Sequence, residues 1–311
     1  MTVLLTGASG FVGKAVLAAA KRRGVEVRPV FRSHASTDGQ SGAVLVPELD
    51  GETDWAQALQ GVSVVIHAAA RAHVMREEAL DPLTEYKRVN VQGTSNLARK
   101  AAAAGVQRFV FISSIKVNGE ATSPDRPFTA DDAPAPEDAY GISKAEAETE
   151  LRRIAQETGM EVTIIRPPLI YGPGVKGNFS SLMNWVRRGL PLFLGGVAHN
   201  RRSLVGLDNL VDLIWVCVVH PNAANQTFLI SDGEDLSTTE LLRKIGNALS
   251  RPARLFWVPA GLIALIASLL GKKVISQRLL GSLQVDISKT CELLDWKPMM
   301  AVDEGLRRAV E

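Results

Sequence analysis

Residues 3–24 read VLLTGASGFVGKAVLAAAKRRG, and the parsing of this stretch decides the architecture. Val3 to Gly7 is an apolar run suited to a buried strand. Gly13 to Gly24 places Ala, Val and Leu at helical spacing and stops at a glycine. Between the two, Gly7, Gly10 and Gly13 fall in three-residue steps. A chain that leaves a strand, turns tightly and enters a helix at once needs positions without a Cβ. The same bareness lets helix N-terminal amides approach a pyrophosphate. The spacing is GxxGxxG, and its place between the first strand and the first helix is the context that gives such a triplet meaning. Ser9, Phe11 and Val12 complete the loop and join the three glycines as cofactor-contacting candidates.

Working outward, strand-like and helix-like patterns alternate. VEVRPVF, AVLVPEL, VSVVIHAAA, RFVFISS and VTIIRPP read as strands two to six. A long helix is expected from Pro82 to Ala104, ended at Gly105, and another from Tyr140 to about Gly159. Alternation of this kind predicts an α/β fold, a Rossmann-type doubly wound parallel sheet. After Pro167 glycine and proline become frequent, as in YGPGVKGN, and one clear strand, QTFLISDG, remains. The expected division is a dinucleotide-binding domain over residues 1–166, with a return segment near 203–222, and a smaller substrate-binding region over 167–311.

Composition narrows the function classes. The chain has 311 residues, 46% hydrophobic and 22% charged, and 35 basic against 33 acidic side chains give a net charge of +2. Nothing in that balance argues for a nucleic-acid partner. The 2 cysteines, Cys217 and Cys291, lie far apart without metal-ligand spacing, so no metal site is expected and a reducing cytoplasm suits them. The start MTVLLTG has no secretory pattern. Leu255 to Gly271, LFWVPAGLIALIASLLG, is uncharged. It is shorter than the roughly 20 residues a span needs, and Pro259 and Gly261 interrupt its start. No transmembrane span is expected there, and a weak interfacial association is the membrane option that remains.

Two further stretches carry chemistry. FISSIKVNGE, Phe111 to Glu120, closes a strand with Ser114, and YGISK places Tyr140 four residues before Lys144 on one helix face. A phenol with a pKa of about 10 is a poor proton carrier at neutral pH, and a neighbouring ammonium stabilises its anion. Ser114, at the carboxyl end of a strand, would hydrogen-bond the same reacting oxygen. The end of the second strand reads VRPVFRSH, with Arg28 and Arg32 and no carboxylate for ribose hydroxyls. Arg32 with Ser33 therefore reads as a 2′-phosphate clamp, favouring NADP(H), with NAD possible.

Taken in order, GASGFVG, IHAAA, VNVQGTSNL, FISSIKVNG, YGISK, IRPPLIYGPG, RRSLVGLDNLVD and VDISKTCELLDWKP resemble the extended short-chain dehydrogenases/reductases of the nucleotide-sugar group almost end to end. The resemblance implies a UDP-sugar substrate and a homodimer built on the two long helices. It implies that Glu48 and Leu49 lie near the adenine, that His67, Ala68 and Ala69 line the cofactor, and that Asn90 supports the central strands. Ser114, Tyr140 and Lys144 become the catalytic set, Lys144 also bonding the nicotinamide ribose, with Pro167 and Ile170 beside the nicotinamide. Arg71, Lys116, Asn178, Arg202 and Arg278 become substrate contacts. Arg202, seven residues ahead of Asn209, is the best matched of these, and arginine forks suit a diphosphate.

Within that group, sugar 4,6-dehydratases carry an Asp-Glu pair directly after the serine or threonine; here Ile115 and Lys116 stand there, which argues against dehydration. Epimerases often carry Thr and Tyr where Lys116 and Asn118 stand. Two reactions at C4 remain. One is NADPH-dependent reduction of a UDP-4-keto-6-deoxy-N-acetylhexosamine, preferred on Arg32 and Lys116. The other is 4-epimerisation of a UDP-hexose or UDP-N-acetylhexosamine with tightly held NAD. A module that only senses a dinucleotide is a third reading, and retention of both Tyr140 and Lys144 weighs against it. The implied setting is cytoplasmic synthesis for a cell-surface polysaccharide.

Overall fold

The computed structural model describes residues 1–33, 42–72, 81–123, 126–271 and 273–311. The N-terminal elements are β1 (Thr2–Thr6), α1 (Phe11–Arg23), β2 (Glu26–Phe31), β3 (Val44–Leu45), α2 (Ala56–Leu59) and β4 (Val64–His67). Then come α3 (Pro82–Lys87), α4 (Thr94–Ala103), β5 (Arg108–Ile112), α5 (Ala139–Thr158) and β6 (Glu161–Arg166). The remainder comprises β7 (Leu169–Tyr171), α6 (Asn178–Arg187), β8 (Arg202–Gly206), α7 (Leu207–Val219), β9 (Thr227–Leu229), β10 (Asp235–Leu236) and α8 (Thr238–Ala248), followed by α9 (Ala260–Leu269), α10 (Lys273–Leu280), α11 (Ser288–Leu294) and α12 (Val302–Val310).

Seven strands form one sheet in the order β3-β2-β1-β4-β5-β6-β9, and every neighbouring pair in it is parallel. This is the Rossmann-type doubly wound α/β sheet. Parallel strands covered on both faces must be apolar at successive positions, because neighbouring side chains point to opposite sides. β1 and β5 show this directly. Val3, Leu5, Val110 and Ile112 pack toward α1 and α7 with Leu210, Ile214 and Phe228. Leu4, Phe109 and Phe111 pack on the other face with Leu97, Leu151 and Ile154.

Several elements differ from their expected extents, each for a local reason. The third strand pairs only at Val44 and Leu45. Val46 still donates to the Phe31 carbonyl at 2.8 Å, and Pro47, lacking an N–H, ends the ladder there. The long helix from Pro82 is interrupted at Arg88–Gly93 by a π-helical turn. A Cβ on Gly93 would come within 2.9 Å of the Leu49 carbonyl, so the chain is pressed against the strand-3 loop at this turn, and Asn90 is turned inward.

The stretch near 203–222 returns to the sheet differently than its strand-like start suggests. β8 joins a separate three-stranded sheet, ordered β10-β8-β7, while α7 covers the large sheet and β9 supplies its last strand. β9 is pinned by the Thr163 hydroxyl on the Ala223 carbonyl at 2.6 Å and by the Val162 amide on Asn225 Oδ1 at 3.0 Å. A third apolar cluster, with Tyr171, Phe179, Leu242, Ile245 and Leu306, holds the C-terminal elements around the small sheet.

α7 is buried along most of its length and bridges α1 to the sheet. Leu210, with no exposed surface, is its central contact. Leu210→Ala is expected to lower unfolding free energy by about 2–5 kcal/mol, read as a shifted midpoint in urea with an unchanged slope.

Candidate active site

The glycine loop is built as the close approach requires. Gly7 has φ +72°, and a Cβ there would sit 2.7 Å from the Ala68 carbonyl carbon and the Ala69 amide nitrogen. A Cβ on Gly13 would sit 2.1 Å from the Gly7 oxygen. These contacts lock the turns after β1 and β4 together, so Gly7, Gly13, Ala68 and Ala69 meet at one end of the sheet. α1 starts with Gly10 as its cap, with no side-chain cap and no acidic residue in its first turn. Phe11 and Val12 pack down onto the core, and Ser9 and Gly10 are exposed. The positive end of α1 is thus presented without a carboxylate, which fits a dinucleotide pyrophosphate.

Two strands along, β5 ends at Ile112, and Ser114 follows as the cap of a short turn, its hydroxyl accepting the Lys116 amide at 3.3 Å. The Ile115 amide donates to the Pro167 carbonyl at 3.0 Å, joining the ends of β5 and β6. α5 reaches the same end. Lys144, 1% exposed, donates from Nζ to the Ile112 carbonyl at 2.6 Å and lies 3.9 Å from the centre of the Phe111 ring. Burial pushes this ammonium down to about 7, with the Glu148 carboxylate opposing. Tyr140, one turn earlier, packs edge-on against Tyr86, ring centres 6.1 Å apart.

The protein by itself does not make Tyr140 acidic, contrary to what its spacing from Lys144 suggests. Desolvation pushes the phenol above its ordinary value, and the Asp138 carboxylate and Tyr86 add to the rise. Asp138 caps α5 by accepting the Gly141 amide at 2.7 Å. The phenol therefore stays protonated at neutral pH until positive charge is brought beside it.

A buried polar network fixes α5. Glu148, 0% exposed, accepts a two-pronged bond from Arg166, 2% exposed, at 2.9 and 2.6 Å. It also accepts the Ser113 hydroxyl at 2.5 Å and Arg152 at 2.9 Å. Arg166 donates further to Asn118 Oδ1 at 2.9 Å. Burial alone would raise the Glu148 pKa, and the Arg166 bonds and charge outweigh it and hold the carboxyl below its usual range. Neither residue carries a motif. A Glu four residues past Lys144 and an Arg directly before Pro167 are the only sequence signals of the pair.

Other expected residues fall in varied places. Asn90 exchanges bonds with both backbone groups of Arg71, at 2.8 and 3.0 Å, and donates to Ser143 at 2.9 Å, so it ties α5 to the turn after β4. His67 does not offer its ring to a cofactor. The ring is fully buried, with Nδ1 2.7 Å from Thr6 Oγ1 and Nε2 3.0 Å from Thr94 Oγ1, and burial, helped by the Lys144 charge, drops its pKa to about 3. Lys116 is not a free cation for substrate, since Glu120 at 2.7 Å and Asp138 both hold its ammonium. Glu48 faces Arg88 at 3.4 Å. Leu49 packs at Gly93. Arg32 and Ser33 are exposed just beyond β2, and Asn178 is exposed at the start of α6. Ile170 lies in β7 against the first core cluster. Arg202 starts β8 and donates to the Gly281 carbonyl at 3.0 Å. The Arg278 side chain lies outside the described residues. Among the described residues no cluster of metal-ligating side chains occurs.

Two measurements follow from this geometry. Glu148→Gln leaves the buried Arg166 charge without its counter-charge and is expected to cost about 3–5 kcal/mol of stability in chemical denaturation. Lys144 has a folded pKa of about 7 against 10.5 unfolded, so the unfolded chain binds the extra proton between those values. Wild-type stability should therefore rise relative to Lys144→Met as pH climbs from 7 toward 10.5, and the difference should flatten below 7, followed by denaturation midpoints across that range.

Residues 3–231 match the NAD dependent epimerase/dehydratase family. A UDP-glucose 4-epimerase from Vibrio cholerae is 47% identical over 310 residues, covering 100% of this chain and 94% of the relative. The fold is shared with a UDP-glucose 4-epimerase from Thermotoga maritima in complex with UDP-glucose, at TM-score 0.77 and 22% identity over 100% and 97% of the two chains. It is shared equally with a UDP-glucuronic acid 4-epimerase from Bacillus cereus in complex with NAD, at TM-score 0.78 and 20% identity over 99% and 97%. With a bare glycine loop, a Ser-Tyr-Lys set gathered at one sheet end and this full-length similarity, the chain belongs to the NAD-dependent epimerase/dehydratase family and is an enzyme of the extended short-chain dehydrogenase/reductase type.

Proposed function

We propose that the protein is a 4-epimerase of UDP-hexoses or UDP-N-acetylhexosamines that works with a retained NAD. The observation that carries this reading is the 47% identity, along the whole chain, to a UDP-glucose 4-epimerase. Bound at the glycine loop, NAD supplies a hydride acceptor that can also give the hydride back. The chain's own residues handle the proton and the geometry. Tyr140 Oη would take the proton from the C4 hydroxyl as the hydride leaves C4 and return it to that oxygen once the 4-keto sugar has turned its other face to the hydride donor, with Ser114 Oγ holding the same oxygen. Lys144 lies on the Tyr140 face of α5, where its charge lowers the cost of a phenolate.

The preference for an NADPH-dependent 4-ketoreductase rested on Lys116 and Arg32, and it gives way to the epimerase. Lys116 is paired with Glu120 and Asp138, so a lysine at this position does not by itself signal a different reaction at the sugar. Arg32 is an exposed side chain past β2, a position that does not by itself require a 2′-phosphate. NAD is proposed because the B. cereus epimerase of the same fold is in complex with NAD.

The test is to denature the purified protein, identify any released nucleotide, and follow C4 interconversion of UDP-glucose and UDP-galactose and of their N-acetyl counterparts. Released NAD with interconversion and no net nucleotide consumption is the expected outcome. Stoichiometric oxidation of NADPH by a UDP-4-keto sugar, without interconversion, would reinstate the reductase. Tyr140→Phe should lower turnover by roughly 10²–10⁴-fold with little change in KM, whereas a dinucleotide-sensing module would be indifferent to it.

A further inference from the structure

α9 and the segment leading into it carry large apolar side chains that the described chain leaves uncovered. Leu262, Leu265, Ile266, Leu269 and Leu270 are 47%, 57%, 48%, 79% and 65% exposed, and no residue of α9 is buried. Their spacing puts them on one side of the helix, while Ile263 packs against the C-terminal core. Just upstream, Phe256 and Trp257 are 52% and 73% exposed. They are held by pairing with the chain at Leu192 to Gly195: the Phe256 amide donates to the Leu192 carbonyl at 2.9 Å, and the Gly195 amide donates to the Phe256 carbonyl at 3.0 Å. Phe193, 58% exposed, stands beside Phe256 with ring centres 5.7 Å apart. A surface that displays so many large apolar side chains marks a contact site.

Charge selects the occupant. The sequence has no Asp or Glu from Leu241 to Val285, nor from Val162 to Leu207. Arg187, Arg188, Arg251 and Arg254, which belong to these two stretches, are exposed, and among the described residues none of the four pairs with a carboxylate. An apolar face with aromatic side chains at its start and guanidinium groups nearby in the chain matches the boundary of a bilayer bearing anionic headgroups. α9 has 10 residues. At 1.5 Å per residue it reaches about 15 Å, half the ~30 Å hydrocarbon thickness. Among the described residues no helix is long and apolar enough to cross a membrane. Such a helix can lie in the interface and cannot span it.

We propose that α9 and the Phe256–Trp257 segment form an interfacial anchor that seats this protein on an anionic lipid surface. The anchor goes beyond the epimerase reading and does not depend on it. In a flotation assay, the full-length protein is expected to rise with vesicles of phosphatidylethanolamine and phosphatidylglycerol. It should rise less with phosphatidylcholine vesicles or at raised salt. The double variant L265E/L269E, and independently Trp257→Ser, should cut vesicle binding by about tenfold or more. Both should keep the wild-type thermal midpoint, because these side chains contact solvent. Wild-type protein that stays out of both vesicle types overturns the proposal. So does an L265E/L269E variant whose sedimentation coefficient falls to that of a smaller oligomer, since the stripe would then belong to a second copy of this chain.

Discussion

A carboxylate and a guanidinium withdrawn from water hold the end of β6 against the middle of α5. Burying Glu148 and Arg166 is expensive, and the cost is offset only because both prongs of the guanidinium are used and Ser113, Asn118 and Arg152 satisfy what remains. The return on that arrangement is position. Lys144 lies one helical turn before Glu148 and Tyr140 another turn before that, so pinning Glu148 to β5 and β6 sets the height and rotation of both on the sheet end. A slip of one residue would move each by about 1.5 Å and turn it by about 100°. At the other end of the same face, Asp138 caps the helix and Lys116 holds Asp138. α5 is clamped at both ends of its functional stretch.

The same exclusion of water that strengthens the clamp sets the proton chemistry. Lys144 is pushed down to about 7, His67 to about 3, and the Tyr140 phenol upward. All three shifts favour the neutral forms, because desolvation is the largest cause in each and for Lys144 outweighs the opposing Glu148 carboxylate. A phenol in this setting is a resting acid. In the proposed reaction its ionisation would draw on positive charge nearby, from Lys144 and from an oxidised dinucleotide held at the glycine loop.

The two halves of the chain divide the labour by different means. The parallel sheet gathers the glycine loop, the turn after β4, Ser114 and the Pro167 turn at one end, because all its strands point the same way. The C-terminal region uses a small mixed sheet and a third core, with Tyr171 bonded to a buried Asp232 at 2.7 Å. Beyond that core, α9 turns its apolar side outward, an arrangement a fold seeking only its own stability would have no reason to keep.

Local pattern was enough for the parallel sheet, the bare glycine turn and the Tyr140–Lys144 face, because each leaves its mark in residues close in sequence even where its contacts are distant: apolar runs and period-3.6 repeats, missing Cβ atoms, a four-residue step. It misjudged the ends of β3 and the continuity of the helix after Pro82, where Pro47 and the contact of Gly93 with Leu49 intervene. It also left His67 and Lys116 as ligands. Their partners, Thr6 and Thr94 in one case and Asp138 in the other, are brought to them by strand order and by the docking of α5, with Glu120 completing the second set. The Glu148–Arg166 pair and the direction of the Tyr140 shift were likewise beyond the linear chain. Burial and the neighbours of a charge are properties of residues distant in sequence, and they come into being only when the layers close over them.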